Sequence, residues 1–415
     1  MDQTAVHQWT PEERLISRVL SLTWVFYALG ALYVVGPVLG WVLLIMGVLK
    51  ARREPERWRR VGWVVWLWVF GMLVMEVALV AGHVDFGLPT ALILKSSIGW
   101  AKGWALLAVF ILAASLLDIR REVLADSVAG LAKQTVLLLP IFVAAYYVGL
   151  PGRVYISPIS VVGGPGPEYF AFNFFSIDPS NHQPRWHFFS PWAPAAGFIA
   201  CIHAALALDC SSRRRAIWLI AAAILVALFT KSRLALVVLL VGPLIAVACF
   251  NLLRPLTAFA LSALAPTVAL LGPPVMEMVE DTFSAFRSAR ADSSRVREAL
   301  ARIALNRWQS EAPIFGHGVV ERGPHLVEYM PIGSHHTWYG LLFVKGAVGL
   351  AALAVPLAFT VLLLLWRSQR DKTVRSALMV IMVLIFYTFG ENLEILSYLF
   401  WPGLIAVGTA LKRPI

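Results

Sequence analysis

His335 and His336 stand side by side in Gly333-Ser-His-His-Thr-Trp-Tyr-Gly340, at the entrance to a long apolar run. Imidazole titrates near neutral pH, so a histidine at a water-facing helix entrance is suited to take a proton from a hydroxyl group. The pair could instead cap the helix. A metal reading has neither an HExxH pattern nor a carboxylate at ligand spacing to support it, so no metal is assigned. Arginines supply the second kind of chemistry. The segment Asp292-Ser-Ser-Arg-Val-Arg-Glu-Ala-Leu-Ala-Arg-Ile-Ala-Leu-Asn-Arg-Trp308 reads as an amphipathic helix, with Asp292 or Ser293 as N-cap and Glu298 in an early turn. Arg295 and Arg302 share one face, as do Arg297 and Arg290 if the helix extends back. Positive charge near a helix N-terminus opposes the macrodipole unless an anion compensates it. Phosphate is the natural candidate, because guanidinium forks grip its oxygens two at a time and keep their charge. A solvated basic face, or a patch against anionic lipid, is the plainer alternative.

Arg233 lies in Leu-Phe-Thr-Lys-Ser-Arg-Leu-Ala-Leu-Val, with apolar sequence on both sides. A charge at that depth in a membrane is costly and by default functional. It could instead snorkel to the interface or pair with Glu391 or Glu394. Upstream, Asp178-Pro-Ser-Asn-His-Gln-Pro-Arg-Trp-His-Phe-Phe-Ser-Pro-Trp-Ala-Pro194 mixes aromatics with amides around Arg185 and Trp186. Such a mixture, with Trp338 at the later helix entrance, suits sugar rings. Aromatics of this kind also form the ordinary belt at a membrane interface.

The elements that must position these residues are membrane helices. Of 415 residues, 59% are hydrophobic and 14% charged, too little polar surface for a soluble chain of this length. Runs of roughly 20 apolar residues are long enough to cross a bilayer, and about twelve crossings can be drawn, making 1–415 a single all-α polytopic membrane domain. The first two are short and fill 15–49, broken at Gly36-Pro37; the ninth covers 256–271; the last ends at Leu411. Two longer loops interrupt the series, 151–190 and 272–334, and the second contains the arginine helix.

The net charge of +11, from 35 Lys+Arg against 24 Asp+Glu, raises nucleic acid as a partner. The location of the charge argues against it. Arg/Lys-dense short loops at 50–60, 120–121, 211–215, 367–375 and 412–413 fall on one side, the cytoplasmic side by the positive-inside rule, with both termini. The two long loops then face the opposite compartment. Arg153, Arg185, Arg233, Arg287, Arg290, Arg295, Arg297, Arg302, Arg307 and Arg322 lie there against the trend, so they need a reason of their own. Cys201, Cys210 and Cys249 form no CxxC pair and read as buried small residues.

Three segments together resemble the O-antigen ligase and O-antigen (Wzy-type) polymerase superfamily of bacterial membrane glycosyltransferases. Thr230-Lys-Ser-Arg-Leu-Ala is similar to its Ser-Arg motif at the start of a membrane helix. Arg295-Val-Arg-Glu-Ala-Leu through Ala312-Pro-Ile-Phe-Gly-His-Gly318 is similar to its arginine helix followed by a Pro-x-x-Gly-x-Gly turn. His335-His-Thr-Trp-Tyr with Gly346-Ala-Val-Gly349 resembles its His-Asn-x-Tyr motif and Gly-x-x-Gly. The similarity covers roughly 155–350.

The resemblance implies a GT-C-like fold in the bacterial inner membrane, with its active site facing the periplasm, and no cofactor or metal. It implies an undecaprenyl diphosphate-linked glycan as donor, a glycan or lipid as acceptor, and, for a polymerase, a chain-length regulator as further partner. Arg233 and Arg297 would hold the diphosphate, with Arg295 and Arg302 competing for the second position. His335 would assist the acceptor hydroxyl. His336 replaces the usual Asn, so either imidazole could act. Polymerisation of repeat units is the favoured reaction and ligation to lipid A-core the alternative. A transporter or flippase of lipid-linked glycans, using the arginines without chemistry, is the rival of another class; such proteins usually show two related halves, and no internal repeat is visible here.

Overall fold

The computed structural model describes residues 8–178, 182–255, 291–333 and 335–413, together with 257, 259, 260, 262, 263 and 266; for 291–294 it describes the backbone. The Thr10 hydroxyl accepts from the Glu13 amide while the Glu13 carboxylate accepts from the Thr10 amide, a capping box that starts α1 (Pro11–Ser21) with proline in its first turn. A short α2 (Thr23–Ala28) follows, then α3 (Leu32–Arg53), α4 (Arg57–Arg60), α5 (Trp63–Asp85), α6 (Thr90–Lys102), α7 (Ala105–Leu116) and α8 (Arg121–Tyr147). The middle of the chain forms α9 (Ala193–Ala205), α10 (Arg213–Phe229) and α11 (Arg233–Phe250). The last part forms α12 (Ala291–Glu311), α13 (Thr337–Ser368), α14 (Arg375–Thr388) and α15 (Ser397–Ala410).

Helices α3, α5, α8, α11 and α13 are long and apolar enough to cross a membrane, and α6 with α7 adds a sixth if that pair, bent by 41°, is one span. This is coarser than the sequence expectation of about twelve crossings. Ala193–Asp209 and Glu394–Ala410 are apolar but shorter. Most of the expected ninth crossing, and 267–290, lie outside the described residues. The N-terminal pair of crossings is corrected outright. Helix α3 runs unbroken through Gly36 and Pro37, and the break falls at Gly30, whose φ of 64° ends the preceding turn. A side chain there would meet the Ser157 Cβ at 2.5 Å.

Helix α7 is buried along its whole length, packed among α3, α5 and α15. Around this axis, α13 lies along α5, and α9 is enclosed by α10, α11 and α14. The basic short loops gather at one end of the bundle, tied together by ion pairs. Arg57 and Arg60 both reach Asp118, Arg120 reaches Glu13, Arg121 reaches Asp209, and Arg215 reaches Asp126. Arg121 also donates to the Thr373 carbonyl, and Arg367 to that of Ala410.

The 151–190 segment is less open than a loop. Strand β1 (Arg153–Ile156) pairs antiparallel with β2 (Ala171–Asn173), Tyr155 opposite Phe172, and β3 (Ser176–Ile177) pairs with β4 (Pro184–Arg185). The Tyr27 hydroxyl donates to the Asn173 carbonyl at 2.9 Å and fastens this layer to α2.

Candidate active site

Helix α13 is two half-helices. At Gly346 the backbone turns to φ 61°, ψ −162°, which frees amides and carbonyls that an unbroken helix would pair internally. The turn 313–318 takes them up. His317 and Gly318 amides donate to the Phe343 and Val344 carbonyls at 2.9 Å each, and the Ala347 and Val348 amides donate to Pro313 and Ile314 at 3.0 and 3.2 Å. The Pro-x-x-Gly-x-Gly turn and the Gly-x-x-Gly segment, distant in sequence, are thus partners in one joint.

The joint also fixes α12. Its apolar face, Val296, Leu300 and Ala304, packs against Phe343 and Val344, at the helical spacing expected of the amphipathic segment. Its end is clamped: the His317 ring contacts Glu311 at 2.8 Å through Nε2 and the Phe343 carbonyl at 2.9 Å through Nδ1. Arg307 grips both Glu311 and Glu321. Hydrogen bonds from Arg307 and then His317 hold the Glu311 carboxyl down at about 2. The expected cap at Asp292 or Ser293 lies where side chains are outside the described residues, as do Arg287 and Arg290.

Between α12, the start of α13, the 390–395 segment and the 165–169 and 191–194 turns lies a cavity of about 650 Å³, a volume typical of a small-molecule site. Arg297 and His335 both line it, with Glu391, Asn392, Glu394, Lys345, Glu168, Trp104, Tyr169 and Trp192. Burial, and then the Arg297 charge, push the His335 imidazole down to about 4, so it is neutral at pH 7. Glu391 is 2% exposed. Burial raises its carboxyl to about 7, against the opposing pull of Arg297 and of a 3.0 Å hydrogen bond from the Trp192 indole. A neutral imidazole, a guanidinium and a buried carboxyl therefore line one cavity.

Other expected site residues are placed differently. His336 caps α13, its Nδ1 accepting from the Tyr339 amide at 3.4 Å, with its ring 4.1 Å from that of Tyr339; it is outside the cavity wall. Arg295 and Arg302 are exposed on α12 and also outside the wall, so of the three competing arginines only Arg297 reaches the cavity. Arg233 opens α11 behind the N-cap Ser232 and is half-buried. It does not line the cavity, but its neighbour Leu234 lies against Gly390, where an added side chain would meet it at 3.0 Å, and Glu391 follows directly. Arg185 donates to the Thr230 carbonyl at 3.1 Å and sits 3.5 Å from Asp178, securing the turn that precedes Arg233.

The two tryptophans expected to face a glycan lie outside the cavity wall. Trp186 is buried, its indole donating to the Phe142 carbonyl at 2.9 Å. Trp338 donates to the Thr388 hydroxyl at 3.0 Å, against α14. Both indoles spend their N–H on a partner within the fold, Trp186 buried and Trp338 half-buried. The rings that reach the cavity are Trp104, Tyr169 and Trp192. Trp192 belongs to the same aromatic run as Trp186, six residues on, so the composition signal marks the right segment and only burial selects the residue. Glu391 carries a weaker signal, an acidic residue between two apolar runs. Among the described residues no group of three or more His, Cys, Asp or Glu is arranged to hold a metal ion.

No protein-family profile matches the chain, and no curated protein matches it either.

Proposed function

We propose that the chain is a bacterial inner-membrane glycan transferase that polymerises undecaprenyl diphosphate-linked oligosaccharide units, with about twelve crossings in a GT-C-like arrangement. The resemblance of the Ser-Arg, Arg-helix and His-His-x-Trp-Tyr segments to O-antigen polymerases and ligases supplies the reaction. The observation that carries the reading is the cavity shared by Arg297, His335 and Glu391.

In this reading the acceptor hydroxyl oxygen attacks the anomeric carbon of the donor. The bond from that carbon to the diphosphate oxygen breaks, its electron pair leaves with the diphosphate, and the configuration inverts. Arg297 stabilises the departing charge from the cavity wall. Neutral His335 takes the hydroxyl proton; the bound diphosphate beside it favours the imidazolium that results. Arg233 lies outside this cavity, so its assignment to the same anion rests on the resemblance alone, and the carrier lipid lies between helices. The basic end of the bundle is then the cytoplasmic end and the cavity faces the periplasm.

Deletion in the native host, followed by a gel of surface glycans, tests this. Single repeat units on lipid A-core are the expected result. Full-length polymer left unlinked to core would assign the ligase reaction, and an unchanged surface would remove both.

A further inference from the structure

Lys345 is 2% exposed within a helix long enough to cross a membrane, at the end of the first half of α13. Counting from Thr337 it stands about 12 Å farther along the helix axis than the entrance beside His335. An ionisable group at such a position is functional by default. Its ammonium offers three donors. Among the described residues it meets one carboxylate within 4 Å, Glu394 at 3.8 Å, beyond hydrogen-bonding distance, and one ring, Trp104, at 6.0 Å. All three line the same cavity as Arg297 and His335.

The backbone makes room for this group. A side chain on Gly103, where α6 bends into α7, would run into the Glu394 Cγ at 2.7 Å. One on Gly349 would collide with the Lys345 Cβ. Two glycines thus clear the path of two charged side chains that face each other across a gap.

We propose that this deep end of the cavity is a sugar-binding subsite, separate from the diphosphate end. A ring hydroxyl in the cavity bridges this pair from the side, accepting from Lys345 and donating to Glu394. Charge argues against phosphate here. The single ammonium already faces the Glu394 carboxylate. The proposal rests on the glycan-transferase reading for the identity of the sugar's carrier.

The test is binding by the full chain in lipid nanodiscs. Three probes are used: the lipid-linked glycan extracted from the native host, the same glycan cut from its diphosphate, and undecaprenyl diphosphate bearing no glycan. Lys345→Met and Glu394→Gln should each weaken the first two at least tenfold and leave the third unchanged, with Lys345→Arg restoring part of the loss. An equal loss for the bare carrier would assign the subsite to phosphate and overturn the proposal, as would unchanged binding of all three. Glu394→Gln, isosteric and only partly buried, decides alone if Lys345→Met fails to fold. Lys345-dependent glycan binding by a wild type that transfers nothing would sink the transferase reading and leave the subsite standing. Active wild type with Lys345-independent binding would do the reverse.

Discussion

A methyl group on Gly346 would come within 2.7 Å of the Gly316 amide nitrogen, so the two glycines that close the joint between α12 and α13 touch backbone to backbone. Gly346 also needs its positive φ. Gly346→Ala should therefore destabilise the protein by more than the roughly 1–3 kcal/mol of backbone strain alone, and displace α12 with Arg297. Thermal unfolding together with donor binding checks this; a variant with wild-type melting and wild-type binding would show that the joint does not position the cavity.

Glu311 links Arg307 and His317 at the end of α12. Its carboxyl is held near 2, below the ordinary value of 4.5, so its ion pairs stabilise the fold above the ordinary carboxylate range and the contribution is lost as pH falls toward 2. The group is 40% exposed, and after screening its pairs are worth about 1 kcal/mol. Glu311→Gln should melt earlier than wild type at neutral pH, and the gap should close as the medium is acidified. A gap that widens on acidification would contradict the assignment.

Two tryptophans of one segment should behave oppositely. Trp186 is core, and truncation to Ala should cost about 3–5 kcal/mol, while Trp186→Phe, where it folds, should transfer glycan normally. Trp192→Phe should fold well and lose activity, because its indole holds Glu391 at the cavity wall. Equal activity in the two Phe variants would remove the distinction.

Glu391 is protonated below about pH 7 and ionised above it. An ionised carboxylate beside an anionic diphosphate repels it, so donor affinity should fall as pH rises through 7, by at most about tenfold per unit. Glu391→Gln should flatten that dependence. Titration of donor binding across pH 6–8 reads it directly, and an unaltered slope in the variant would mean another group titrates.

Much of this arrangement is legible in the sequence, and the rest is not for identifiable reasons. The amphipathic spacing of Val296, Leu300 and Ala304 marks α12, and the alternation of basic loops marks one end of the bundle. Helix breaks are harder to read, because α3 accommodates Pro37 in its interior, whereas Gly30 turns the chain with no proline to announce it. Spacing to Pro313 and Gly346 favours Arg297 over Arg295 and Arg302, while which face of α12 meets the cavity depends on the joint at Gly346. Lys345 escapes notice as a single charge among apolar neighbours, Glu391 is legible only as a possible partner of Arg233, and the fold shows that both line one cavity with His335 and Arg297.

The central claim is tested most directly by single-turnover glycan transfer in nanodiscs carrying the lipid-linked donor, with binding measured on the same samples. His335→Ala should slow transfer by about 10²- to 10⁴-fold while donor binding persists, His336→Ala should stay near wild type, and Arg297→Lys should weaken donor binding. Transfer at the wild-type rate by His335→Ala, or a collapse confined to His336→Ala, would contradict it.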